Sequence, residues 1–151
     1  MNYRLLSRWV LLFAMALSFA TPTIGVGEEL DVWIGTTTPS RGLSKGIYHA
    51  VLDVESGKLT HPRLAAEMSN PGFLALHPSG KTLYSTGNVD GEPSVAAFRI
   101  EPKGEMPRLA MINSQPIEDG GVAHLATDRT GRVLMTAQYG GYTVCPLITG
   151  L

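Results

Sequence analysis

His124 is the residue of this sequence whose type and position could do chemistry. It stands in Val122-Ala123-His124-Leu125-Ala126, and 51 residues earlier the matching position is Phe73, in Gly72-Phe73-Leu74-Ala75-Leu76. One copy of the pattern carries a titratable side chain where the other carries an apolar ring. The fold therefore does not demand histidine there, and departures from an internal pattern are where function concentrates. Imidazole changes charge between about pH 5 and 8, so it can bond a carbonyl oxygen or activate water near neutrality. The competing reading is a structural histidine bonded to a neighbouring loop. Two candidate substrate-binding residues flank the same strands: Tyr139, in Gln138-Tyr139-Gly140-Gly141, and Asn70, in Ser69-Asn70-Pro71-Gly72. Their alternatives are a packed aromatic with a bonded hydroxyl and a turn cap.

The remaining polar groups point to structure. His77 and Asp128 occupy matching places just before tight turns, where an Asp carboxylate can accept backbone N–H bonds. His49 falls within a strand and His61 beside Pro62, which suits packing or surface roles. The 4 His are scattered rather than clustered at ligand spacings, so no metal is expected. No cofactor is expected either, because there is no phosphate-cradling glycine loop, dinucleotide fingerprint or GxSxG nucleophile turn. Cys145 is the 1 cysteine of the chain and reads as a small apolar strand residue rather than a nucleophile.

These residues must be positioned by short strands. Asn70–Tyr84 recurs as Gly121–Met135, with Gly80 on Gly131, Lys81 on Arg132 and Leu83 on Leu134. Shifted back by the same interval, Leu83-Tyr84 falls on Val32-Trp33. Gly46–Asp53 recurs as Ser94–Glu101, and Tyr142–Leu147 begins a third copy. Apolar residues appear on both faces of the runs, and turn clusters such as Pro78-Ser79-Gly80-Lys81 and Arg129-Thr130-Gly131-Arg132 separate them. Four strands in about 50 residues, apolar on both faces, define a β-propeller blade. The fold class is all-β. Strands are expected near 32–36, 46–52 and 58–66, then 73–77, 82–86, 94–100 and 106–114, then 122–128, 133–138 and 142–148. Arg63–Met68 is read as an outer strand rather than a helical turn. This makes about two and a half blades, whereas a propeller closes with roughly 4–8. The propeller is therefore read as incomplete in this chain.

Residues 1–27 are expected to be a signal peptide and short linker, leaving 28–151 as the propeller domain. Arg4 and Arg8 precede the apolar run Trp9–Ala20, and Ser18-Phe19-Ala20 offers a cleavage site, with Gly25-Val26-Gly27 as a second. Thr21-Pro22-Thr23 interrupts the run before the roughly 20 residues that a spanning helix needs. The mature chain is thus expected to be exported, periplasmic or secreted, with no stable membrane insertion after signal cleavage; the alternative is an uncleaved N-terminal anchor. A net charge of −1, with 17% charged residues, carries no basic excess for a nucleic-acid partner. The 17 Gly and 10 Pro fit a turn-rich chain.

The ordered set Val32-Trp33-Ile34-Gly35-Thr36-Thr37-Thr38, Ser44-Lys45-Gly46-Ile47-Tyr48 and Asn70–Lys81 resembles the seven-bladed propeller lactonase family. Gly120–Arg132 and Tyr139-Gly140-Gly141 extend the likeness over about residues 31–148. The family includes bacterial 6-phosphogluconolactonases and fungal carboxy-muconate cyclases. The resemblance implies hydrolysis of a small-molecule sugar lactone, typically 6-phosphogluconolactone, through a tetrahedral oxyanion. That chemistry needs a general base and donors or cations for the oxyanion. The family's proposed acid/base and cationic residues lie mostly in later blades. Export departs from the cytosolic sugar-phosphate role and suggests another lactone. The alternative is an exported, non-catalytic propeller fragment, acting as a binding module or arising as a truncated product.

Overall fold

The computed structural model describes residues 28–38, 42–102, 106–117, 121–139 and 143–144. The expected leader over 1–27 and Cys145 lie outside the described residues. Among those described, there are strands and turns and no helix. The strands are β1 (Glu29–Ile34), β2 (Gly46–Asp53), β3 (Lys58–Leu59), β4 (Arg63–Glu67), β5 (Leu74–Leu76), β6 (Thr82–Val89), β7 (Glu92–Glu101), β8 (Arg108–Pro116), β9 (Val122–Thr127), β10 (Leu134–Gln138) and β11 (Thr143–Val144).

They form three antiparallel sheets. The first has the order β1-β2-β3, with β4 also on β2; the second runs β5-β6-β7-β8; the third runs β11-β10-β9. The second sheet is a full four-stranded blade, and its register recurs in the third. Leu74 pairs with Ser85 and Leu76 with Leu83; Leu125 pairs with Thr136 and Thr127 with Leu134. The β5–β6 turn is closed by His77 N–H to Thr82 O and Gly80 N–H to His77 O, and the β9–β10 turn by Asp128 N–H to Val133 O and Gly131 N–H to Asp128 O.

Alternation explains why both faces of the middle blade are apolar. Leu83 and Phe98 are register partners, and they pack with Ala96 and Leu109 against Ile47, Ala65 and Met68 of the first sheet. Their neighbours Tyr84 and Val95 point the other way and meet Leu125 and Leu134 of the third sheet, with Ile117. A strand buried between two other sheets on both sides has no polar face to show. Each fully buried Leu, Ile or Phe in these layers contributes about 1.5–3 kcal/mol relative to exposure.

Several boundaries differ from the sequence reading; β6 runs on to Val89 rather than 86, and β8 spans Arg108–Pro116 rather than 106–114. The expected outer strand over 58–66 is two pieces, β3 and β4, because Pro62 has no N–H to give the ladder. The first strand begins earlier than expected, with Glu29 opposite Asp53, and ends at Ile34. There the Thr36 hydroxyl turns back to donate to Gly46 O at 2.7 Å. Of the strand expected over 142–148, Thr143–Val144 lies within the described residues, paired with Ala137 and Thr136.

Candidate active site

The starts of β5 and β9 and the ends of β6 and β10 lie at one end of the sheets. Ser69 bridges to Asn88 at the end of β6, and Tyr139 N–H donates to Gly121 O at 3.2 Å beside the start of β9. All three sequence candidates sit on or near this end.

His124 is the third residue of β9, opposite Ala137 of β10, and its side chain is exposed. Its ring meets Phe73 edge-on, with centroids 6.1 Å apart and planes at 77°. The two residues that occupy matching positions in their strands are therefore spatial neighbours across the blade boundary. Among the described residues no hydrogen-bond partner holds the imidazole. The imidazole is open to a molecule placed over the starts of β5 and β9.

Tyr139 is 86% exposed and is anchored through its backbone rather than its ring. Asn70 is drawn elsewhere. It adopts a left-handed backbone with φ 53°, a conformation Asn tolerates better than most residues. Its Oδ1 accepts the Thr38 N–H at 3.0 Å and its own N–H donates to the Thr38 hydroxyl at 2.9 Å. Its acceptor is committed to holding the β1–β2 loop. The structure thus brings His124 against Phe73, leaves Tyr139 flanking β9, and assigns Asn70 to loop architecture.

The residues read as structural behave as such. His77 Nδ1 accepts Ser79 N–H at 3.1 Å, and its Nε2 lies 3.1 Å from Gly131 O in the next blade. Asp128 Oδ1 accepts Val133 N–H at 2.8 Å and Oδ2 accepts Thr130 N–H at 3.1 Å. The Thr130 hydroxyl, with these amides, lowers the Asp128 pKa to about 2. His49 is 1% exposed, with Nε2 2.7 Å from Asp31 Oδ1 and its ring 4.8 Å from Trp33. His61 is exposed. Among the described residues no group of three or more His, Cys, Asp or Glu is placed to hold a metal ion.

Two features were not singled out from sequence. Gln138 is buried at the end of β10, where the register shifts after Ala137, and neither its Oε1 nor its Nε2 has a partner among the described residues. Its position beside Tyr139 was the available signal. The second is an open cleft of about 370 Å³ lined by Thr38, Ser44, Lys45, Glu67, Met68 and Ser69. The hydroxyl-rich run Thr36-Thr37-Thr38 and the Ser44–Tyr48 segment mark it in the sequence.

A three-sheet segment of this topology has known counterparts. The family model described as "Lactonase, 7-bladed beta-propeller" matches residues 31–147, and the chain belongs to that family. It is 36% identical over 108 residues to the 6-phosphogluconolactonase of Bacillus subtilis (strain 168), covering 71% of this chain and 30% of that protein. A crystal structure of a candidate 6-phosphogluconolactonase from Bacteroides uniformis aligns at 28% identity with a TM-score of 0.67, over 80% of this chain and 34% of that one. The Pseudomonas aeruginosa periplasmic gluconolactonase shares the fold, with 24% identity and a TM-score of 0.63 over 74% of this chain and 31% of that one. The chain spans about 30% of the length of the curated relatives it matches.

Proposed function

We propose that this chain supplies the first blades of a sugar-lactone hydrolase, with His124 as its acid/base group. The observation that carries this is the exposed His124 imidazole, without a hydrogen-bond partner among the described residues and set edge-on to Phe73 at the start of β5. In the reaction, a water oxygen attacks the lactone carbonyl carbon while a neutral imidazole nitrogen takes its proton. The tetrahedral oxyanion then collapses, the ring C–O bond breaks, and the leaving alkoxide oxygen takes a proton back. Cations or N–H donors for the oxyanion would come from other blades. Tyr139, exposed at the same end, is a candidate to bond substrate hydroxyls.

Residues 28–151 form the propeller portion in this reading, and 1–27 an export leader. Arg4, Arg8 and the apolar run Trp9–Ala20 support export to the periplasm or medium. The test of export is N-terminal sequencing of the mature chain, expected to begin near Thr21 or Glu28. An intact Met1 in the cytosolic fraction would overturn it. The hydrolase reading is tested in a chimera in which residues 31–139 replace the aligned segment of the Bacillus subtilis relative. Hydrolysis of 6-phosphogluconolactone or gluconolactone supports it. A folded chimera without activity on either supports a binding module instead.

A further inference from the structure

We propose that Phe73, clamped by Thr86, is a positioning residue that fixes the imidazole of His124. The proposal rests on the acid/base reading of His124 and adds the residues that aim it.

The main chain that carries Phe73 is held from several sides. The Thr86 hydroxyl accepts the Phe73 N–H at 3.0 Å, and the Thr86 N–H donates to Phe73 O at 3.0 Å. Thr86 is buried, and it binds both backbone groups of Phe73 one residue before β5 begins. Upstream, Asn88 N–H donates to Ser69 O at 2.7 Å, and the Pro71 side chain is fully buried. Gly87 makes this close approach possible. A Cβ there would stand 2.7 Å from Ser69 O and 3.0 Å from Asn70 O. On the first-sheet side, a Cβ at Gly35 would stand 2.3 Å from Pro71 O. Segment 69–73 is thus wedged between the ends of β1 and β6, and a ring mounted on it has little room to drift.

That ring stands against His124, with centroids 6.1 Å apart and planes at 77°. Edge-to-face contact within about 4.5–7 Å is a favoured aromatic geometry. The χ2 torsion of histidine is broad and roughly two-fold on its own. A neighbouring ring that admits one orientation therefore selects where the imidazole nitrogens point. The next blade differs at both matching places. Phe73 and Thr86 recur there as His124 and Ala137, which are register partners. Alanine has no hydroxyl, so the side-chain clamp lies under the apolar ring and not under the histidine. A fixed platform beside the histidine serves an acid/base group, because a misplacement of about 1 Å can cost about 10²-fold in rate. Phe73 has no proton to exchange and acts through geometry alone.

The test reads the contact first and the rate second. Proton NMR of the full chain should show Overhauser effects between the Phe73 and His124 rings, and His124 χ1 couplings of a single rotamer. Phe73→Leu should average those couplings, and Phe73→Tyr should keep them. Thr86→Val removes the acceptor with little change of shape. It should weaken the ring–ring effects, and Thr86→Ser should restore them. In the chimera carrying residues 31–139, Phe73→Leu should lower kcat by about tenfold with KM nearly unchanged, and Phe73→Tyr should run near the unsubstituted rate. A single His124 rotamer in Phe73→Leu, wild-type ring effects in Thr86→Val, or an unsubstituted kcat in an active Phe73→Leu chimera would each overturn the proposal. An inactive chimera counts against the hydrolase reading alone, and the NMR arm still decides the role of Phe73, so the two failures are separately visible.

Discussion

His77 Nε2 lies 3.1 Å from the carbonyl oxygen of Gly131, joining the β5–β6 turn of one blade to the β9–β10 turn of the next. Gly131 has φ 71°, and a Cβ there would fall 2.0 Å from His77 Nε2. The contact and the missing side chain are one device: the turn needs a left-handed residue, and the neighbouring imidazole occupies the space a side chain would take.

Gly131→Ala is therefore expected to destabilise the chain by about 2 kcal/mol or more, from left-handed strain plus overpacking. His77→Ala in the same chain removes the clash but not the strain, so the double variant should recover part of the loss. Urea denaturation of the two single variants and the double variant measures the coupling. Strict additivity would show that the two turns do not press on each other.

The Asp128 carboxylate accepts two backbone N–H bonds and a hydroxyl, and its pKa falls from 3.8 to about 2. A depressed folded value means the stabilisation is complete above 3.8 and is lost as pH falls toward 2. The Ser56 amide lowers the Asp53 pKa in the same sense. Stability measured at stepwise pH from 5 to 2 should fall in the wild type and fall less steeply in Asp128→Asn. Equal slopes would show that the turn carboxylate contributes nothing.

Asn70→Ala is expected to cost about 1–3 kcal/mol, because it leaves the left-handed backbone strained and removes the acceptor that holds Thr38. Amide exchange at Thr38 should quicken. Asn70→Gly relieves the strain alone, so exchange at Thr38 should stay fast while stability partly returns. Slow exchange at Thr38 in both variants would contradict the role assigned to Asn70.

Much of the blade architecture was legible because period-2 burial and turn glycines are local signals. Pairs such as Leu83 with Phe98, and the turns at Gly80 and Gly131, follow from that pattern. Pro62 was visible too, but its cut in the outer strand needed ladder accounting that the apolar pattern of Arg63–Met68 obscured. The site was less legible because its contacts are long-range. Nothing near Asn70 announces Thr38, and nothing near His49 announces Asp31, yet each pair is bonded across a loop or ladder. His124 stood out because its partner position in the earlier strand is Phe73. The cleft did not, because hydroxyls and one Lys are ordinary loop composition until the fold gathers them.

His124 is proposed to be the acid/base group. Its most direct test is the rate of lactone hydrolysis by the chimera carrying residues 31–139, with and without His124→Phe. Phenylalanine is the residue at the matching position of the preceding blade, so folding should survive the change. Loss of an acid/base group predicts a fall of about 10²–10⁴ in kcat with unchanged dichroism and melting. A folded His124→Phe chimera that hydrolyses the lactone at the unsubstituted rate would contradict the assignment.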